Sequence, residues 1–101
     1  MRAILILMLT AGAAVADQKT EALQRAGFMI VTAYNCQGYE LSALPYEAAI
    51  PKARAQLVAS GYSDREADQA MERFKSVENA KPNADGKVTK QLCEMLLDRL
   101  K

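Results

Sequence analysis

The sequence predicts an all-α domain, a small bundle of four or five short helices stapled by one disulfide. Apolar residues recur at three- and four-residue steps through most of the chain, and no stretch alternates apolar and polar residues as a half-buried strand would. Ala, Leu, Met, Glu, Gln, Lys and Arg, all good helix formers, dominate between the turn residues. Two cysteines, Cys36 and Cys93, follow a segment with the features of an export signal.

That segment, MRAILILMLTAGAAVAD, has one positive charge at Arg2, an apolar run from Ala3 to Leu9, and Ala14 and Ala16 in the A-x-A spacing of a cleavage site. Residues 1–16 are expected to be a signal peptide and residues 17–101 a single helical domain. A membrane anchor is the alternative, but the apolar run is short of the ~18 residues a spanning helix needs, and charge returns at Asp17. No Cys follows the small residues, which speaks against a lipoprotein anchor. The expected location is periplasmic or secreted, with no membrane span after cleavage. About 85 residues remain, enough for one domain with a modest core.

The whole chain carries 13 basic and 12 acidic residues and no His, and losing Arg2 brings it to formal neutrality. A balanced chain without runs of like charge has no electrostatic drive toward nucleic acid or an anionic membrane. In an oxidising compartment an even cysteine count implies a bridge, so a Cys36–Cys93 disulfide is expected. Two separately buried thiols are the alternative. Zinc is disfavoured, because two thiolates without His make a poor tetrahedral site.

The first helix is expected from about Gln18 to Gln37, with Leu23, Ala26, Ile30, Ala33 and Tyr34 on one face. Phe28, Met29 and Val31 widen that face until AGFMIVTAY is apolar almost all round, which predicts a helix central to the bundle, stopped at Gly38. A second helical region lies between about Ser42 and Ser60. Pro45 suits a first turn, whereas Pro51 predicts either a kink near Ile50 or a short helix followed by a longer one. Gly61 stands where a left-handed C-terminal residue is wanted, Tyr62 can fold back onto the preceding turn, and Ser63 with Glu66 forms a capping box. The third helix, Asp64 to about Glu78, places Ala67, Ala70, Met71, Phe74 and Val77 on one stripe. The last, from about Val88 or Thr89 to Leu100, is expected to bury Val88, Leu92, Met95, Leu96 and Leu100.

The loop between these two helices, KPNADGKVTKQLCE, resembles half of an EF-hand or dockerin calcium loop, with Asn83, Asp85, Gly86 and Val88 in register. Lys81 then replaces the first-position Asp and Leu92 the closing carboxylate. Too few oxygens remain for the roughly six to eight that calcium requires. The match is read as coincidental, with Asp85 or Thr89 capping the last helix. Neither a metal nor a cofactor is expected.

No enzyme is expected either. Without His there is no Ser-His or Cys-His pair, the cysteines are assigned to a bridge, and no phosphate-cradling glycine loop occurs. Glu40 and Glu47, near Tyr39 and Tyr46, could be drawn as an acid–base pair, but solvated surface carboxylates are the commoner case.

NCQGY on the first helix, SGYSDREADQAMERF at the hinge and QLCEMLLDRL on the last helix resemble a family of small exported alphaproteobacterial helical domains of unknown function. The resemblance spans most of residues 17–101 and implies a periplasmic or secreted location with no known activity. On the residues themselves, the expected role is a protein-binding module, including a toxin-immunity or acid-stress chaperone-like protein. Asn35, Gln37, Tyr39, Glu40 and Tyr46 form the candidate partner-binding patch. The preferred reading of these tyrosines is that they cover the edge of the core. The other reading is a carrier holding a small apolar ligand between helices, suggested by Phe28, Met29 and Val31.

Overall fold

The computed structural model describes residues 2–39 and 44–100, with side chains from Gln18 onward. Among these residues it has four α-helices, two short 3-10 turns and no strand: α1 Arg2–Asn35, a turn at Gln37–Tyr39, α2 Tyr46–Ala59, α3 Asp64–Lys75, a turn at Ser76–Asn79, and α4 Lys90–Leu100. The all-α fold predicted from periodicity is the fold found, although α1, at 34 residues, is not short.

α1 packs against all three other helices, most extensively against α2. Its inward face carries Ala22, Ala26, Met29, Ile30, Ala33 and Tyr34, all buried. This helix is one element from Arg2, so the segment read as a leader and the expected domain helix are continuous. It ends at Asn35 rather than Gln37, and Gly38 lies inside a 3-10 turn without a positive φ. α1 is central as expected, but it is not enclosed: Phe28 is 49 % exposed and Val31 43 %.

α2 resolves the question posed by Pro51. One helix runs through it, with Pro45 as N-cap and its carbonyl accepting from Ala48 and Ala49 N–H at 3.0 and 2.9 Å. Pro51 and Glu47 both lie on the exposed side, so the carbonyl deprived of a donor by the proline is on the side of water. The helix buries Tyr46, Ala49, Ala53 and Leu57. Short alanines at 26, 49 and 53, none with any exposed surface, line the interior shared with α1.

The α2–α3 connection follows the sequence reading closely. Gly61 has φ +103°, its N–H donates to Val58 O, and Tyr62 N–H donates to Leu57 O, both at 3.1 Å. These two bonds are the pair that closes a helix on a left-handed glycine. Tyr62 reaches further than the preceding turn: its hydroxyl donates to Lys19 O on α1 at 2.9 Å, and Lys19 Nζ stands 4.9 Å from the ring centroid. Ser63 Oγ accepts from Glu66 N at 3.1 Å while Glu66 Oε1 accepts from Ser63 N at 3.0 Å. Those bonds from Ser63 hold the Glu66 carboxyl below its ordinary value. The box is therefore intact above the usual carboxylate range and is lost as pH falls through that lowered value. Gly61→Ala is expected to destabilise the domain by on the order of 1 kcal/mol, since a Cβ is strained at this φ, and Ser63→Ala by a similar amount. Urea melts check both. A neutral Gly61→Ala would mean that the turn relaxes without left-handed backbone.

α3 buries Ala67, Ala70 and Met71, with Phe74 and Val77 half-buried, as expected, but the α-helix stops at Lys75 and a 3-10 turn continues to Asn79. α4 differs more. It starts at Lys90 with Thr89 Oγ1 accepting from Leu92 N, so Thr89 rather than Asp85 is its cap. Cys93 and Leu97 are its fully buried residues, whereas Val88, Leu92, Leu96 and Leu100 are half-buried and Met95 is 48 % exposed. The predicted face was turned about the axis because four leucines surround the helix and apolar content alone does not choose among them.

Cys36 and Cys93 are disulfide-bonded with Cα atoms 5.7 Å apart, joining the end of α1 to α4 as expected.

Candidate functional site

The predicted polar and aromatic patch at the end of α1 is a seam within the fold. Asn35 Oδ1 accepts from Asn83 N at 2.8 Å, and its amide donates to Val31 O at the same distance. The Tyr39 hydroxyl donates to Val88 O and accepts from Asn83 Nδ2. Tyr34, one turn earlier, donates to Ala80 O. Three side chains of the α1 end thus clip the segment 80–88 in place at Ala80, Asn83 and Val88. Tyr46 is buried with its ring edge-on to Tyr34, centroids 5.2 Å apart. Its hydroxyl makes no hydrogen bond among the described residues. Burial, then the nearby Glu78 carboxylate, pushes its pKa up to about 12. Gln37 is the member of the patch left open to solvent. Glu40, of both the patch and the imagined acid–base pair, lies outside the described residues.

Asn83 is the hub of the calcium-like loop. At φ +53° its Oδ1 accepts from Val88 N at 3.1 Å, its Nδ2 donates to Val88 O at 2.8 Å, and its carbonyl accepts from Gly86 N. Asp85 Oδ1 accepts from Lys87 N. Two of the oxygens an ion would use are thus already bonded to the backbone. No cluster of three or more His, Cys, Asp or Glu able to hold a metal occurs among the described residues. Calcium at millimolar concentration is expected to give no binding heat and no shift in thermal midpoint. A saturable one-site heat would overturn that.

The surface that the sequence reading touched only through Phe28 and Val31 lies on the other side of α1. Leu23, Gln24, Gly27, Phe28 and Val31 of α1 with Phe74 of α3 line an open groove of about 490 Å³. Gln24 is the single polar side chain among them. The Phe74 ring rests on Gly27 so closely that a Cβ there would stand 2.8 Å from Cε1. Phe28 also borders Leu100 of α4. A signal for this face exists in the sequence: Gln24, Phe28, Val31 and Asn35 fall at four-, three- and four-residue steps, a stripe with polar ends. Met29, grouped with Phe28 and Val31 in the sequence reading, belongs to the core instead.

Fold and surface together define a small all-α domain with one disulfide and an exposed apolar groove. No protein-family model matches the chain, and neither a curated protein nor a solved structure matches it. No described helix is long and apolar enough to cross a membrane.

Proposed function

We propose that this protein is an exported, non-enzymatic binding module that takes another protein on the Phe28–Val31–Phe74 groove, after removal of residues 1–16. The observation that carries this reading is the exposure of Phe28 and Val31 beside Phe74 in a groove with almost no polar lining. Export is supported by the leader-like composition of residues 1–16 and by the disulfide. The resemblance to exported alphaproteobacterial domains agrees with it, and near-neutral charge argues against nucleic acid. Immunity proteins and chaperone-like proteins both fall within this class.

The same groove supports a second reading, a carrier for a small apolar molecule, on the strength of its apolar lining. Periplasmic extract passed over the native protein and over Phe28→Asp with Val31→Asp tests the first reading. Because both side chains are already exposed, the variant should fold. Partners retained by the native protein and lost by the variant support it, and identical captures sink it. A native mass spectrum showing a bound lipid favours the second. The mass of the exported chain tests the leader, which is upheld by a start at Asp17 and refuted by retention of Met1.

A further inference from the structure

Beyond that surface reading, the way α4 is attached points to a device built into the fold. The interior shared by α1, α2 and α3 holds Ala26, Ile30, Ala49, Ala53, Leu57 and Ala67, all without exposed surface. α4 adds to it from one side and packs chiefly on α1. Besides half-buried leucines, it sinks only Leu97 and the Cys93 half of the disulfide into the body, and its far end is tied by Lys52 Nζ of α2, which donates to Leu100 O at 2.7 Å. The segment leading to it is clipped at Val88 by Tyr39 of the 3-10 turn that follows α1, which makes Val88–Thr89 the natural pivot. Leu97 shares a cleft with Ala33 and Cys36, and Leu100 borders Phe28.

We propose that α4 is a strap latched by the Cys36–Cys93 bond, and that reduction by a dithiol lets it swing out about Val88–Thr89 while α1, α2 and α3 stay folded. The released strap uncovers the Ala33–Cys36 strip of α1 and joins it to the exposed Phe28–Val31 surface. One thiolate of the reductant attacks a cystine sulfur and forms a mixed disulfide, and the other cysteine leaves as a thiolate and takes up a proton. The second thiol of the reductant then attacks its own mixed sulfur, yielding two cysteine thiols and a cyclic disulfide, a two-electron transfer. Cys36 is 2 % exposed and Cys93 fully buried, so the attack waits for the turns of α4 beyond Cys93, which carry Leu97, to loosen while the bond still holds Cys93.

The test is the rate at which thiols appear when the oxidised protein meets excess dithiothreitol. Leu97→Ala, which loosens the strap, is expected to accelerate reduction at least about tenfold. Ser63→Ala, which weakens the α2–α3 corner far from the strap, should leave the rate within about twofold. Were global unfolding the route, Ser63→Ala would accelerate it about fivefold. Hydrogen exchange on the reduced protein should then show protection lost across Lys90–Leu100 and kept in α2, α3 and the inward turns of α1. The proposal is overturned by the fivefold acceleration, by equal rates in all three proteins, by a reduced protein with α4 still protected, or by loss of protection in every helix together.

Discussion

Cys36→Ser combined with Cys93→Ser is expected to lower the denaturant midpoint sharply. The bond links residues 57 apart in sequence. Closing a loop of that length restricts the unfolded chain by about 4 kcal/mol in the chain-entropy picture, and measured values are commonly smaller. A small domain has about 5 to 15 kcal/mol in total, so the bond supplies a large share of the margin. Packing at α4 does not offset the loss, since Leu97 is its single fully buried side chain once the cystine is gone. Urea titration followed by far-UV circular dichroism measures the change. An unaltered midpoint would show that the bond is incidental to stability.

Leu57→Ala is expected to cost about 2 to 5 kcal/mol, the usual span for emptying a buried leucine site. The upper half of that span is the expectation here. Leu57 has no exposed surface, and the alanines at 26, 49 and 53 that share its core have no length with which to lean into the space left behind. Its backbone is pinned as well, because its carbonyl accepts from both Ser60 and Tyr62 N–H. The helix end therefore cannot slide inward. A loss below about 1 kcal/mol in a urea melt would mean that α1 and α2 close the gap together.

Local rules made much of this legible from sequence. The Gly61 closure and the Ser63–Glu66 box involve residues within a few positions of one another, so their geometry follows from their types. The all-α class and the Cys36–Cys93 pairing were legible for a similar reason, since few alternatives existed. The exposed groove was legible only in part, through Phe28 and Val31. Whether Phe28 faces core or water depends on where α3 and α4 lie, and an almost continuously apolar segment such as AGFMIVTAY does not specify which side they cover. The Tyr39 and Asn35 bonds were equally hidden, because their partners Val88 and Asn83 are 49 and 48 residues away. Pro51 left one helix or two open, and the single helix found is tolerated because the orphaned carbonyl is on the side of water.

The clips from Tyr34, Asn35 and Tyr39 onto segment 80–88 bear on how the chain is oxidised. They need no sulfur chemistry, and the last of them fixes Val88 five residues before Cys93. A chain that has made them delivers the second thiol to the first as a tethered reactant rather than by random search, so an oxidant meets a preassembled pair. A chain deprived of the Tyr39 hydroxyl is therefore expected to reach the same cystine more slowly at a fixed concentration of oxidant.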